Sequence, residues 1–192
     1  MAPGSSNSYS PEERHTLLET ARLSILQGLE RGRPLSIDPF RYPEPLREKR
    51  ATFVTLQIGG RLRGCIGTLE AIRPLIQDVA HNAWAAAFSD PRFPPLSKSE
   101  FDSLEIEISI LTPPESMVFD SEADLLRQIR PGMDGLILEE DGYRGTFLPS
   151  VWKSLPDPHE FLRHLKQKAG LPPNYWSDTL KVYRYTTESF GE

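Results

Sequence analysis

The single cysteine of the chain, Cys65, lies in a glycine-flanked segment that places a thiol beside positive charge. Arg61 and Arg63 precede it, and Gly64 and Gly67 bracket it. A thiol becomes nucleophilic when its pKa falls, and neighbouring guanidinium groups stabilise the thiolate. Glycine packs nothing inside a strand, so the two glycines predict a backbone that bends or is closely approached there. The competing interpretation is a structural cysteine, because cysteine is among the most buried residue types.

His81 is the histidine best placed to act as a base for this thiol, since it follows Asp78 by three residues on a predicted helix. At that spacing the carboxylate can orient the imidazole, as in a cysteine–histidine catalytic pair. The alternative is that His81 lies at the edge of an apolar stripe and packs beside Trp84. The other histidines lack a spacing typical of metal ligands, so neither a metal site nor a cofactor is predicted.

Composition and charge favour a soluble cytoplasmic protein without a membrane span. The net charge of −5 and the pI near 5.5 argue against a general nucleic-acid binder, which is usually basic. One cysteine in 192 residues cannot form an internal disulfide, which fits a reducing compartment. The chain has no apolar run long enough to span a bilayer, and its first ten residues lack the apolar centre of a signal peptide.

A local basic patch in the loop at 33–50 is the one alternative that would allow RNA binding. Cationic groups would track the phosphates while two aromatic rings stack on bases. The residues concerned are Arg41, Arg47, Lys49, Arg50, Phe40 and Tyr42. Glu44 and Glu48 interrupt the patch, so a solvated loop is the favoured interpretation.

Capping signals and hydrophobic periodicity predict short elements separated by proline-rich loops. Ser10 and Glu13 form a capping pair that predicts a helix ending at Gly32, after a disordered segment at 1–9. The further predicted elements are strands at 51–58 and 61–69, a helix from Pro74, a strand at 104–110, a short helix after Ser121, strands at 135–139 and 143–148, a helix from Asp157 to Gly170, and a strand at 180–186.

The first hairpin turns at Gly59 and Gly60, which fixes its simplest register. Pairing Ile58 with Arg61 places Cys65 opposite Val54, with Arg61, Arg63 and Cys65 on one face. A bulge at Gly64 would reverse the facing of the thiol. In the Pro74 helix, Val79 and Trp84 are predicted to be buried. Its polar residues are predicted to face solvent or a cleft: Gln77, Asp78 and Asn82.

A weak internal repeat relates the two hairpins. Arg63-Gly64 and Arg144-Gly145 each lie early on the second arm, and each hairpin is followed by proline and an amphipathic helix. The repeat predicts an α+β fold of two packed halves that duplicate a hairpin–helix unit, with mixed or antiparallel sheets and a cleft between the halves. The domain is predicted to span 10–190, either as one domain or as two intertwined subdomains. Arg144 becomes a candidate binding residue by its equivalence to Arg63.

Four segments, spread over nearly the whole of 10–190, carry a family resemblance. They are ATFVTL at 51–56, LRGCIGT at 62–68, AAAFSDPRFPPL at 85–96 and YRGTFLPSVW at 143–152. In this order they resemble the AMMECR-type family, whose prokaryotic members are called AmmeMemoRadiSam system protein A. Leu69 departs mildly, because the family often has Phe there.

The resemblance implies a compact two-part α+β domain with internal duplication, and no defined activity. The family name implies an association with a Memo-like protein and a radical S-adenosylmethionine enzyme. The resemblance also directs attention to the cysteine motif as the site. The positions that match it are Cys65, Arg63, Gly64 and Gly67.

Three functional hypotheses follow. The leading one is a cytoplasmic accessory protein of a radical S-adenosylmethionine/Memo-type modification system, without a cofactor of its own, that binds a substrate or partner near Cys65. The second is an enzyme with Cys65 as nucleophile and His81 as base. The third is an RNA- or protein-binding scaffold in which Cys65 is structural.

Overall fold

Two four-stranded sheets with flanking helices make up the computed structural model, which describes residues 8–192. The helices are α1 (Pro11–Arg31), α2 (Glu44–Arg47), α3 (Leu75–Phe88), α4 (Lys98–Phe101), α5 (Glu122–Gln128) and α6 (Pro158–Ala169). The strands are β1 (Thr52–Ile58), β2 (Arg61–Gly67), β3 (Leu104–Leu111), β4 (Glu115–Ser116), β5 (Gly135–Glu140), β6 (Tyr143–Phe147), β7 (Lys181–Tyr185) and β8 (Thr187–Gly191). Short 3₁₀ turns occur at Pro39–Arg41 and Pro149–Lys153. The α+β class and the two antiparallel sheets confirm the predicted fold.

The first unit comprises the chain up to Leu111 together with Glu188–Glu192. Its sheet has the strand order β2-β1-β3-β8. Helices α1 and α3 pack against each other, and α3 also packs on β1 and β2. Val54 and Leu56 of β1 are fully buried in the same apolar cluster as residues of both helices. One face of this sheet is therefore covered by helices.

Helix α1 begins and ends where its local signals predict. The backbone N–H of Glu13 donates to Ser10 Oγ at 3.1 Å, and the backbone N–H of Ser10 donates to the Glu13 carboxylate at 2.9 Å. Gly32 ends the helix with φ of 68°, a left-handed conformation that glycine adopts without strain. Leu17 and Ile25 are fully buried in the core of the first unit.

Tyr9 belongs to the segment predicted to be disordered, of which 1–7 lie outside the described residues. Tyr9 is 8% exposed, and its hydroxyl accepts a hydrogen bond from Arg50 Nη1 at 3.1 Å. Its backbone N–H donates to Glu188 Oε2 at 3.1 Å. Burial raises the pKa of Tyr9. Tyr9 is thus part of the core of the first unit.

The second unit comprises Thr112–Thr187, and its sheet has the strand order β4-β7-β5-β6. Helix α6 packs on β5 and β6. The Trp152 and Phe161 rings stack with centroids 3.8 Å apart in its core. Asp157 caps α6 and Gly170 ends it, as the sequence predicts.

The two units repeat one topology. In each, a hairpin supplies the edge strand and its neighbour, a helix packs on that hairpin, and the next strand returns beside the first arm. The matching runs are β1–β2–α3–β3 and β5–β6–α6–β7. This repeat confirms the predicted duplication of a hairpin–helix unit.

The predicted register of the first hairpin is wrong beyond its first two pairs. Ile58 pairs with Arg61 as expected, but Cys65 pairs with Thr55 rather than with Val54. The reason is a bulge: Gln57 pairs with Leu62 and Leu56 with Gly64, which leaves Arg63 unpaired. The bulged residue is Arg63 and not Gly64.

The predicted facing of the Pro74 helix is also wrong for two of its polar residues, whereas Gln77 is partly exposed. Asp78 and Asn82 are 0% and 1% exposed, and Trp84 is only partly buried. Asp78 accepts hydrogen bonds from Thr52 Oγ1 at 2.6 Å and from Arg73 Nε at 2.8 Å. Burial raises the pKa of Asp78, while these hydrogen bonds act in the opposite direction. The side of the helix that carries Asp78 and Asn82 therefore faces inward, where it has polar hydrogen-bond partners.

Among residues 8–192, every helix is too short or too polar to cross a bilayer.

Candidate functional site

Arg63, the bulged residue of β2, is buried against the segment at 93–100. Arg63 is 8% exposed, and its Nε donates to Glu100 Oε2 at 2.7 Å. Its Nη2 donates to the Pro94 carbonyl at 2.8 Å, and its guanidinium lies 5.7 Å from the centroid of the Phe93 ring. The hydrogen bond from Arg63 lowers the pKa of Glu100 to about 2. Arg63 therefore ties the edge strand to the segment at 93–100.

Gly64 and Gly67 are required by close approach, as the sequence predicts. A Cβ at Gly64 would lie 2.1 Å from the backbone oxygen of Ala86 in α3. A Cβ at Gly67 would lie 2.2 Å from the Phe53 ring. The first glycine lets a helix sit directly on the edge strand, and the second admits a ring across the pair of strands.

Cys65 lies on the sheet face opposite α3. Neighbouring side chains of a strand alternate between faces, and Cys65 pairs with Thr55, which lies between the helix-covered Val54 and Leu56. The thiol is partly exposed, and its Sγ lies 3.3 Å from Thr55 Oγ1. The backbone N–H of Cys65 donates to Asp90 Oδ2 at 3.0 Å.

Asp90 fixes both Cys65 and a second arginine. This carboxylate is 4% exposed and accepts hydrogen bonds from the backbone N–H, Nε and Nη2 of Arg92 at 3.0, 3.0 and 2.8 Å. Hydrogen bonds from Arg92 hold the pKa of Asp90 well below its usual range. The same hydrogen bonds to Asp90 raise the pKa of Arg92, and negative charge on Cys65 adds to the effect. The Arg92 side chain is 56% exposed, so this guanidinium reaches solvent beside the thiol.

Arg92 is a candidate site residue that the sequence reasoning missed. Arg61 is exposed at the hairpin turn, and Arg63 is engaged by Glu100, so neither supplies the charge predicted for the thiol. The signal was present as Asp-Pro-Arg at 90–92, directly after the helix. An aspartate commonly accepts from the backbone two residues ahead, which also brings the Arg92 side chain back onto it.

His81 and Cys65 lie on opposite sides of the first sheet. His81 belongs to α3, and its ring centroid is 6.1 Å from that of Trp84. Burial lowers the pKa of His81. Asp78 does not orient the imidazole, because its carboxylate is engaged by Thr52, Thr68, Arg73 and Asn82. The structure therefore does not assemble the cysteine–histidine pair.

Arg144 lies in the second unit, on the second arm of its hairpin. Its Nε is 3.0 Å from Glu139 Oε1, and its side chain is 41% exposed. The repeat predicted that Arg144 is equivalent to Arg63, but Arg63 is bulged and unpaired whereas Arg144 pairs with Glu139. Arg144 faces a strand neighbour at the surface, whereas Arg63 is buried.

The residues predicted to form a basic RNA-binding patch have different partners. In the basic loop, Arg50 donates to the Leu111 carbonyl at 3.0 Å, so it has a structural role. Arg41 pairs with Asp38 at 3.8 Å, and the Phe40 ring is 82% exposed. Within the described part of the chain, no cluster of three or more His, Cys, Asp or Glu side chains is arranged to hold a metal ion.

Comparison with known proteins gives consistent matches over almost the whole chain. The AMMECR1 family model matches residues 18–190. A protein of Methanothermobacter thermautotrophicus is 41% identical over 96% of this chain and 98% of its own length. A protein of Methanocaldococcus jannaschii is 42% identical over 88% of this chain and 85% of its own. The crystal structure of an uncharacterised protein from Pyrococcus horikoshii superposes with a TM-score of 0.85 at 41% identity, covering 92% of this chain and 89% of that one.

Proposed function

The chain belongs to the AMMECR1 family, and we propose that it is a cytoplasmic accessory protein that binds a substrate or partner at the surface around Cys65. The binding surface consists of the partly exposed thiol, the Thr55 hydroxyl and the Arg92 guanidinium. We call these three groups the Cys65 surface. It offers a polarisable thiol, a hydroxyl and a positive charge to an incoming group.

The observation that carries the proposal is the buried Asp90 carboxylate. A carboxylate removed from water is costly unless several donors satisfy it. Here the donors come from Arg92 and from the backbone of Cys65 itself, so the carboxylate holds the thiol and the guanidinium in one arrangement. Side chains that contact a ligand need such support if they are to keep their geometry before the ligand arrives.

The partners follow from the resemblance to AmmeMemoRadiSam system protein A. We propose that the Cys65 surface contacts a Memo-like protein, a radical S-adenosylmethionine enzyme, or the substrate that the two share. A single partly exposed thiol fits the reducing cytoplasm, where such a group persists without oxidation.

Affinity purification from the native host tests the proposal. Tagged wild-type protein is compared with Asp90→Asn, and proteins, metabolites and RNA in the eluates are identified. We expect the named partners with wild type and a loss of at least about tenfold with Asp90→Asn, because the charge-assisted hydrogen bonds disappear. Asp134→Asn is the matched control, because Asp134 is likewise buried and bound by the Arg130 side chain.

Three outcomes decide the proposal. Retention of the partners by Asp134→Asn and their loss from Asp90→Asn supports it, provided that urea denaturation shows both variants to be folded under the purification conditions. Equal retention by both variants contradicts the role of the Cys65 surface. RNA as the dominant component of the wild-type eluate supports the scaffold hypothesis instead.

A further inference from the structure

Glu140, the last residue of β5, is a buried carboxylate with only one satisfied oxygen. It is 4% exposed, and its Oε1 accepts a hydrogen bond from Thr179 Oγ1 at 2.7 Å. Its Oε2 is closed to solvent and has no hydrogen-bond partner among the described residues. A buried carboxylate oxygen without a donor is destabilising, so such groups are rare and call for an explanation.

Glu140 lines a cavity at the turn end of the β5–β6 hairpin, entirely within the second unit. The same cavity is lined by the Asp141-Gly142 turn, the half-exposed Tyr143 ring and Lys181. Glu139 also lies there, but Arg144 neutralises it at 3.0 Å. Glu140, Asp141 and Lys181 complete the charged lining, which therefore carries one more negative than positive charge.

We propose that this cavity is a binding site for a primary alkylammonium group. An ammonium carries three donors and a full positive charge, which match the unsatisfied Glu140 oxygen and the nearby Asp141 carboxylate. The terminal torsion of glutamate is broad, so a modest rotation turns Oε2 toward a donor in the cavity. The exposed face of the Tyr143 ring adds a cation–π contact to the alkylammonium.

The same chemistry is presented by two sources, a lysine side chain of a polypeptide and a free polyamine. Lys181 is the internal competitor, because its ammonium lines the same cavity. The site is independent of the Cys65 surface, which belongs to the first unit, so failure of one proposal leaves the other standing.

Backbone amide NMR titration of the whole chain tests the site, with butylamine as charged probe and butanol as its neutral match. We expect butylammonium to shift the amides of 140–143 and of Thr179, and butanol to leave them in place. Glu140→Gln keeps the shape but removes the charge, and we expect it to weaken binding at least about tenfold. Glu115→Gln, an exposed carboxylate of the same unit outside the cavity, should change affinity less than about twofold.

Further arms separate the sources and the alternatives. Tighter binding of putrescine than of N-acetyl-lysine methylamide indicates a polyamine, and the reverse order indicates a lysine side chain; both support the site. Lys181→Gln should strengthen butylammonium binding severalfold by removing the competitor. Equal binding by Glu140→Gln with an unchanged thermal midpoint overturns the proposal. Saturation of the same amide shifts by Ca²⁺ alone also overturns it, in favour of an inorganic cation.

Discussion

The two hairpins, β1–β2 and β5–β6, hold the same place in their sheets but treat the arginine of their Arg-Gly pair in opposite ways. Both have two-residue turns with left-handed backbone, Gly59-Gly60 and Asp141-Gly142. In the second hairpin residues 136–140 pair with Tyr143–Phe147 without a bulge, and Arg144 faces Glu139 across the strands. In the first, one extra residue, Arg63, is unpaired and its side chain is buried against Glu100.

This difference shows how a one-residue bulge can distinguish two copies of a duplicated scaffold element, one of which carries the candidate site. Without a bulge, an arginine before the glycine lies at the surface and pairs with a cross-strand neighbour. With the bulge, it anchors the segment at 93–100 to the edge strand, and that segment follows directly from Asp90 and Arg92. Bulges commonly re-aim side chains beside functional sites. In both hairpins a glycine after the arginine lets the following helix approach, so this part of the scaffold is common to the two.

The outward-facing backbone groups of the two edge strands, β2 and β6, also have different hydrogen-bond partners. At Cys65 the backbone N–H donates to the Asp90 carboxylate, whereas at Thr146 the backbone carbonyl accepts from Lys168 Nζ at 2.9 Å. Thr146 directs its hydroxyl to Tyr185 at 2.9 Å, and burial raises the pKa of Tyr185 to about 12. The position that Cys65 holds in the first unit is thus held in the second by Thr146, whose hydroxyl makes a structural hydrogen bond.

Substitution of the glycines that let the helices approach the hairpins gives the largest expected loss of stability. Gly64→Ala places a methyl group 2.1 Å from the Ala86 backbone oxygen, while Gly145→Ala places one 2.9 Å from the nearest atom of Ala169. We expect Gly64→Ala to lower the free energy of unfolding by about 3 kcal/mol and Gly145→Ala by about 1 kcal/mol. Urea denaturation of both variants measures the difference. Equal losses would mean that the two helices approach their hairpins alike.

Substitution of the two arginines, Arg63 and Arg144, gives the second-largest expected loss of stability. Arg63→Ala removes a buried partner of Glu100, a group that is itself one-third exposed, so we expect a loss of about 2–3 kcal/mol. Arg144→Ala breaks a surface pair and should cost less than about 1 kcal/mol. Urea denaturation at low and high salt checks both values. A loss for Arg144→Ala as large as that for Arg63→Ala would contradict the distinction drawn from the bulge.

The pH dependence of stability tests the Arg63–Glu100 pair, with a smaller expected effect. The pKa of Glu100 falls to about 2 in the folded chain and is about 4.3 in the unfolded chain. Its contribution is therefore fully present above pH 4.3 and is lost as the pH falls toward 2. We expect wild type to exceed Glu100→Gln in stability at pH 6, with the gap closing by pH 2. A gap that stays constant between pH 6 and pH 2 would show that the carboxylate charge plays no part.

Local signals in the sequence were sufficient for the longer elements and for their repetition, whereas α2, α4, β4 and β8 were not predicted. The Ser10 capping pair, the alternation at 104–110 and the two hairpin turns act over a few residues, so they could be interpreted without the rest of the chain. The Arg-Gly repeat and the following helices indicated the duplication because hairpin and helix are contiguous in the sequence.

The parts that failed depend on contacts between distant residues. The bulge is stabilised by Glu100 and Pro94, some thirty residues after Arg63, and hairpin pairing alone does not reveal them. Asp78 was predicted to face solvent or a cleft because it lies outside the apolar stripe of its helix, yet its partners Thr52 and Thr68 come from the hairpin. The sequence singled out Cys65 as a candidate site, but the charge beside the thiol comes from Arg92 in a later loop.

The rate of Cys65 alkylation is the most direct test that the Asp90 arrangement holds the thiol in place. The chain has one cysteine, so iodoacetamide labelling followed by mass spectrometry reports on this thiol alone. We expect folded wild type to react more slowly than the urea-unfolded chain, and Asp90→Asn to react about fivefold faster than folded wild type, as losing a hydrogen bond of about 1 kcal/mol implies. Asp134→Asn, the matched change in the second unit, should match wild type. An Asp90→Asn rate equal to wild type, or an equal acceleration by Asp134→Asn, would contradict the account.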